Sequence, residues 1–84
     1  NLGQKEEGVS ISQTIKIQED SVLIGKRVSD IFLPKFVDIS SIIRGRKTIV
    51  SDSETRIHAG DKIEFIYQKQ NAEEIEKFLD DVTR

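Results

Sequence analysis

The sequence predicts an α+β domain in which a small, mostly antiparallel sheet is covered by two helices. Residues 37–68 alternate between apolar and polar positions and are interrupted by two turns, whereas residues 22–32 and 71–82 carry apolar positions at helical spacing. With 84 residues, the chain is long enough for one modest core. Because a domain of this size is only marginally stable alone, we expect a single domain that dimerises.

The N-terminal part is predicted to be a tail followed by a strand. Residues 1–8 are mostly polar and include two glycines, and the chain does not begin with Met, so we expect a fragment of a longer protein in which residues 1–13 are a linker or N-terminal extension and residues 14–84 are the domain. Between residues 9 and 18, apolar side chains share one phase of a half-buried strand. Gln13 breaks this phase, and we expect the strand to be interrupted near it.

The next segment is predicted to be a short helix. Four apolar residues in 22–32 fall at i, i+4, i+7 and i+8, which places them on one helical face: Ile24, Val28, Ile31 and Phe32. Pro34 would end the helix, since the residue before proline is forced out of the α region. A helix of about two turns is unstable alone, so it must lie on the sheet, with Phe32 in the core.

The centre of the chain is predicted to be a set of antiparallel strands joined by tight turns. Ile63, Phe65 and Tyr67 alternate with polar residues and form the most regular strand. Gly45 would fold a strand at 37–43 back onto residues 47–50, and Gly60 would form a turn before the regular strand.

The C-terminal segment is predicted to be the clearest helix. Asn71 is placed to cap its N-terminus, with Glu74 three residues further on. The helix carries an apolar stripe that needs a partner surface, formed by Ile75, Phe78, Leu79 and Val82.

Composition argues against an enzyme. The chain has one histidine and no cysteine, and no nucleophile, base and orienting group can be assembled from it. His58 could act as a base, but a partly exposed histidine at a strand end is the simpler interpretation. Asp52 and Asp61 lie near turns, where an aspartate usually caps its own backbone rather than binding a metal.

The charge pattern offers little for nucleic acid. The net charge is −2, and the only basic cluster is Arg44, Arg46 and Lys47 around Gly45. This cluster is typical of solvated turn residues; an anion held by Arg44 is the alternative. No apolar run is long enough to span a membrane, and there is no signal peptide.

Several motifs in this order resemble the RCK C-terminal domain, also called the TrkA-C domain. The chain has Gly25-Lys26 opening a segment that ends in Leu33-Pro34, then Arg44-Gly45 closing a strand, and then Gly60-Asp61 before the next strand. The resemblance covers about residues 14–79. It implies a βαβββα fold, a homodimer without enzymatic activity, and a cytoplasmic regulatory role attached to a membrane-embedded transport domain. The parent would be a potassium or other cation channel or transporter, or a chloride-channel-type transporter.

The resemblance also implies a small-molecule effector held between two subunits, which in some members of the family is cyclic di-AMP. Carried over by position, the ligand surface comprises Ile31, Phe32, Asp38, Ile39 and His58. Nucleotide-binding members have Arg near the position of Phe32 and Asn at that of Asp38, and a carboxylate there repels phosphate. The alternative function is a dimerisation or docking module without a ligand, including one attached to a DNA-binding regulator.

Overall fold

The computed structural model describes residues 8–82, which form a single four-stranded antiparallel sheet with one α-helix. The strands are β1 (Ser10–Lys16), β2 (Val37–Arg44), β3 (Lys47–Val50) and β4 (Lys62–Gln68), in the spatial order β1-β4-β2-β3. The helix α1 (Ala72–Val82) follows β4. This architecture confirms the predicted α+β class with a C-terminal helix.

Strand β4 lies at the centre of the sheet and divides it into two faces. Ile63, Phe65 and Tyr67 are buried, as their alternation predicts, while the residues between them are exposed or half-buried. Strand β1 pairs with β4 without interruption, so the predicted break near Gln13 is wrong. Gln13 fits the core side of the strand because its Oε1 accepts a hydrogen bond of 2.8 Å from the Tyr67 hydroxyl.

The β2–β3 hairpin forms as predicted around Gly45. Arg44 and Lys47 are paired at its end, and Gly45 has a φ of 62°, in the left-handed region that glycine adopts without steric cost. Strand β2 shifts register against β4 between Ile39 and Ser41, which leaves Ser40 as a bulged residue.

Residues 22–32 do not form the predicted α-helix. They contain turns and one 3₁₀ turn (Val28–Asp30), because some backbone N–H groups of this segment donate to residues 53–57 and others donate to the residue three positions earlier, as in tight turns. The Gly25 N–H donates to the Ile57 carbonyl at 2.8 Å, and the Val28 N–H donates to the Thr55 carbonyl at 2.8 Å. A φ of 86° at Gly25 also excludes a helix that would pass through it.

Helix α1 closes one face of the sheet. Ile75 and Leu79 are buried, and Phe78 and Val82 pack against the same core, which confirms the predicted stripe. The predicted cap is wrong: a 3₁₀ turn (Lys69–Asn71) leads directly into the helix, and the buried Oδ1 of Asn71 has no hydrogen-bond partner within residues 8–82.

The core therefore lies between α1 and one face of the sheet. Its buried apolar members are Ile17, Leu23, Val37, Ile42, Ile57, Ile63, Phe65, Tyr67, Ile75 and Leu79. Strand β1 crosses the predicted boundary between residues 13 and 14, and residues 1–7 lie outside the described part, so the linker assignment of 1–13 stays a prediction. No helix among the described residues is long and apolar enough to cross a bilayer.

Candidate functional site

An exposed aromatic segment precedes β2. Phe32 is 91% exposed, and Phe36 is 61% exposed. The prediction that Phe32 lies in the core is therefore wrong: without a helix at 22–32, nothing turns this ring toward the sheet. Its neighbour Ile31 does pack against the core, so Ile31 faces the interior while the adjacent Phe32 lies on the surface.

The backbone at Phe36 adopts an unusual conformation. Its φ is 74°, which makes it the only residue other than glycine with a positive φ in residues 8–82. A bulky residue in the left-handed region costs about 1–2 kcal/mol, and glycine or asparagine would fit better. Strained residues of this kind concentrate at binding sites, where the side chain serves a purpose outside the folded chain.

Asp38 and Ile39 lie at the start of β2 on opposite faces of the sheet. Ile39 is paired with Phe65 and packs against the core. Asp38 is paired with Ile66 on the face that α1 leaves uncovered. Its carboxylate is exposed and forms no hydrogen bond or ion pair with other residues that the structure describes.

His58 lies in the turn before β4, and this turn is organised by Asp61. The Asp61 residue is only 1% exposed, and its Oδ2 accepts a 2.8 Å hydrogen bond from the His58 backbone N–H. Arg44 binds the same carboxylate through Nε at 2.9 Å and Nη2 at 2.8 Å. Arg44 Nη2 also donates to the Arg56 carbonyl at 2.9 Å, so this one side chain joins the β2–β3 hairpin to the His58 turn.

The hydrogen bonds from Arg44 and from the His58 backbone determine the protonation state of the Asp61 carboxyl. Burial alone would raise the pKa of the carboxyl, but the hydrogen bonds from Arg44 and from the His58 backbone outweigh it, and the pKa is lowered from 3.8. Asp61 is therefore ionised at neutral pH and paired with Arg44. Its capping of the His58 N–H agrees with the prediction that turn aspartates bind their own backbone.

The five predicted site residues do not converge within one chain. Asp38 is opposite Ile66, near the end of β4, whereas His58 is bonded to Asp61, which precedes Lys62 at its start. Asp61 and Ile66 are five residues apart, which corresponds to roughly 17 Å along an extended strand. Ile31 and Ile39 face the core, and Phe32 and Asp38 are exposed.

The carboxylates near the turns do not form a metal site. Asp52 instead caps its own turn, since its Oδ1 accepts hydrogen bonds from the Glu54 N–H at 2.9 Å and the Thr55 hydroxyl at 3.1 Å. Within the described range, no cluster of three or more His, Cys, Asp or Glu side chains could hold a metal ion.

The sequence analysis missed a polar cluster at the centre of the uncovered sheet face. Glu64 accepts hydrogen bonds from three serine hydroxyls: Ser12 at 2.6 Å, Ser40 at 2.6 Å and Ser41 at 3.1 Å. These bonds lower the pKa of the Glu64 carboxyl below 4.5 and join three strands. The alternation of β1 and β4 could have placed Ser12 beside Glu64, but the bulge that brings Ser40 to the same carboxylate has no signal in the sequence.

Comparisons with known proteins agree with this fold. The family model of the TrkA-C domain matches residues 13–80. One similar solved structure bears the description "Structure of RCK domain with cda"; the TM-score is 0.62 with 16% sequence identity, and the match covers 79% of this chain and 93% of that chain. No curated protein matches the chain. With most of its length matched by the family model, the chain belongs to the TrkA-C family of RCK C-terminal domains.

Proposed function

We propose that this chain is the cytoplasmic, ligand-sensing module of an ion-transport protein and that it acts as a homodimer. TrkA-C domains are generally regulatory parts of ion-transport proteins and not enzymes. The proposed parent has a membrane-embedded transport domain for potassium or another cation, or is a chloride-channel-type transporter. The proposed effector is a small molecule, with cyclic di-AMP or another small nucleotide as the first candidate.

The observation that carries this proposal is the exposure of Phe32 and Phe36. Two aromatic rings that the core does not use, one of them on strained backbone, are exposed in the segment before β2. Aromatic side chains bind nucleobases by stacking, which contributes about 1–3 kcal/mol per base. The similar structure whose description includes "cda" gives further support for a ligand at a domain of this fold.

The charges on the proposed surface restrict how an effector could bind. The exposed Asp38 carboxylate disfavours a phosphate beside it. A nucleotide would therefore place a base against Phe32 and direct its phosphates away from Asp38. In a homodimer, the second chain could supply the contacts that one chain does not bring together.

Regulation would follow from differential affinity for two subunit orientations. An effector that binds one orientation of the dimer more tightly shifts the population toward it, and a ligand with equal affinity for both shifts nothing. The segment N-terminal to β1 would transmit the change to the transport domain.

A ligand screen with matched variants tests the proposal. We expect cyclic di-AMP to raise the melting temperature of the dimer, with cyclic di-GMP as the comparison nucleotide and light scattering to give the mass. Phe32→Ala should abolish the shift. Val50→Ala, which truncates an 81% exposed apolar side chain on β3, is the control and should leave it unchanged.

A dimer that responds to no nucleotide or cyclic dinucleotide would contradict ligand sensing. A monomer at all concentrations would contradict the two-subunit site. Equal responses of the Phe32→Ala and wild-type proteins would place the ligand elsewhere.

The second candidate is a dimerisation or docking module without a ligand, including one attached to a DNA-binding regulator. Exposed apolar side chains outside the aromatic segment, Val22 at 69% and Val50 at 81%, favour it because they suit a protein partner better than a nucleotide. A stable dimer with no thermal shift would support this candidate.

A further inference from the structure

We propose that the end of the sheet around Gly45 binds a phosphate group, with Arg44, Arg46, Lys47 and His58 forming the site. This site lies at the opposite end of β4 from Asp38, shares only His58 with the effector surface, and does not depend on the effector proposal. The chemistry is that of a phosphate monoester or diester, carried either by a free anion or by a lipid headgroup.

Arg44 is held in place before any ligand arrives. Its Nε and Nη2 bind the buried Asp61 carboxylate, and Nη2 also binds the Arg56 carbonyl. The remaining nitrogen, Nη1, donates no hydrogen bond within residues 8–82, and the side chain is 34% exposed. A guanidinium fixed in this way loses little entropy when its free nitrogen Nη1 binds an oxyanion.

The hairpin places two more cations beside Arg44. Lys47 is the direct cross-strand partner of Arg44, and Arg46 is in the turn between them. Arg44 is paired with Asp61, but no ion pair with another described residue compensates the neighbouring charges of Arg46 and Lys47, which repel each other. An anion bound between them would remove this repulsion.

The His58 turn is joined to Arg44 through the Asp61 carboxylate. The His58 backbone N–H and Arg44 Nη2 donate to the same oxygen of Asp61, and His58 is exposed. The Asp61 charge is already neutralised by Arg44, so Arg46 and Lys47 leave a net positive site. Two further acids, Glu19 and Asp20, line a concavity with Ala59 and Gly60 on the β1 side of the His58 turn, whereas Arg46 and Lys47 lie at the β2–β3 hairpin.

The free Nη1 of Arg44 beside Lys47 favours an oxyanion with several acceptor oxygens, such as phosphate. Nη1 can donate to one phosphate oxygen, and lysine contributes to the others as a point charge. The surrounding His58 turn and hairpin leave the site open to solvent, so both free phosphates and headgroups can reach it.

The test is a titration of the full chain with inorganic pyrophosphate at low ionic strength, followed by amide chemical shifts. We expect shifts confined to residues 44–47 and 56–61. Arg46→Gln with Lys47→Gln should weaken binding on the order of tenfold, as expected for the loss of hydrogen bonds to a charged group. The control, Lys35→Gln with Lys77→Gln, removes the same charge elsewhere and should change the affinity less than twofold.

Arg44→Lys separates a preorganised site from simple charge attraction. Lysine keeps the charge but cannot bind Asp61 bidentately, so we expect a similar tenfold loss. Shifts spread over all lysines, equal losses in the control, or no loss in Arg44→Lys would each overturn the proposal. Sedimentation with phosphatidylglycerol vesicles that pyrophosphate reverses would identify the source as a headgroup; binding of pyrophosphate alone would identify a free anion.

Discussion

Truncation of Phe32 should leave the folded monomer almost unchanged. Only about one-tenth of this residue is buried, since it is 91% exposed. A phenylalanine buries 150–250 Å² when fully enclosed, so the area at stake is about 20 Å². At about 25 cal/mol per Å², Phe32→Ala should change the free energy of unfolding by about 0.5 kcal/mol or less.

Phe65 provides the internal contrast. It is 1% exposed and lies at the centre of β4, so Phe65→Ala should cost about 3–5 kcal/mol. Both variants remove the same atoms, so the difference between them measures burial alone.

Urea unfolding at several protein concentrations is the appropriate assay. At concentrations where the protein is monomeric, the Phe32→Ala midpoint should coincide with that of wild type. At concentrations where the protein is dimeric, the loss of stability in Phe32→Ala should grow with protein concentration only if Phe32 contacts the partner subunit. A loss above about 1 kcal/mol in the monomer would refute the argument, because it would require contacts that the exposed ring does not make.

Three further changes test the turns and the polar cluster. Asp61→Asn should cost about 1–3 kcal/mol at pH 7, since Arg44 loses its charged partner but keeps solvent access. Because the pKa of the folded-state carboxyl is lowered, the wild-type advantage is present above pH 3.8 and lost as the pH falls further. Urea unfolding at pH 7 and at successively lower pH values below 3.8 should show the stabilities of the two proteins converging. Gly60→Ala should lower the free energy of unfolding by about 1–2 kcal/mol, measured by thermal unfolding. The whole cost would come from the backbone φ of 86°, since an added Cβ would meet no atom within 4 Å and so adds no clash. A neutral effect would contradict the left-handed turn. Ser40→Ala should raise the pKa of Glu64 toward 4.5 in a carbon-13 titration of the carboxyl, while the control Ser51→Ala, whose hydroxyl binds the Ile39 carbonyl, should not.

The central sheet could be predicted because each of its signals is local. Alternation in β4 identifies the strand and its buried face, since the side-chain period of a strand is two. Gly45 and Gly60 mark turns because both adopt positive φ, which other residues rarely do. The stripe of α1 was equally clear, since Ile75 and Leu79 are one helical turn apart.

Residues 22–32 could not be predicted from their own sequence. Their spacing fits a helical face, but Gly25 and the ladder of hydrogen bonds to residues 53–57 determine the actual conformation. That ladder joins segments about 30 positions apart, and no local pattern encodes it. The same reason explains the error at Phe32, whose predicted burial depended on the helix.

The arrangement of the candidate site could be predicted only in part, because the pairing register of β4 places its residues at opposite ends of this strand. Asp38 and the His58 turn are separated by roughly 17 Å along this strand, so one small effector cannot contact both within a single chain. If both residues bind the same molecule, a second chain must bring the His58 end of its sheet to the Asp38 end of the first. A two-fold axis that crosses the strands does this, because it reverses the strand direction between the copies. The proposed dimer and the proposed effector site are therefore linked: evidence that His58 and Asp38 contact one ligand would also establish how the two chains are arranged.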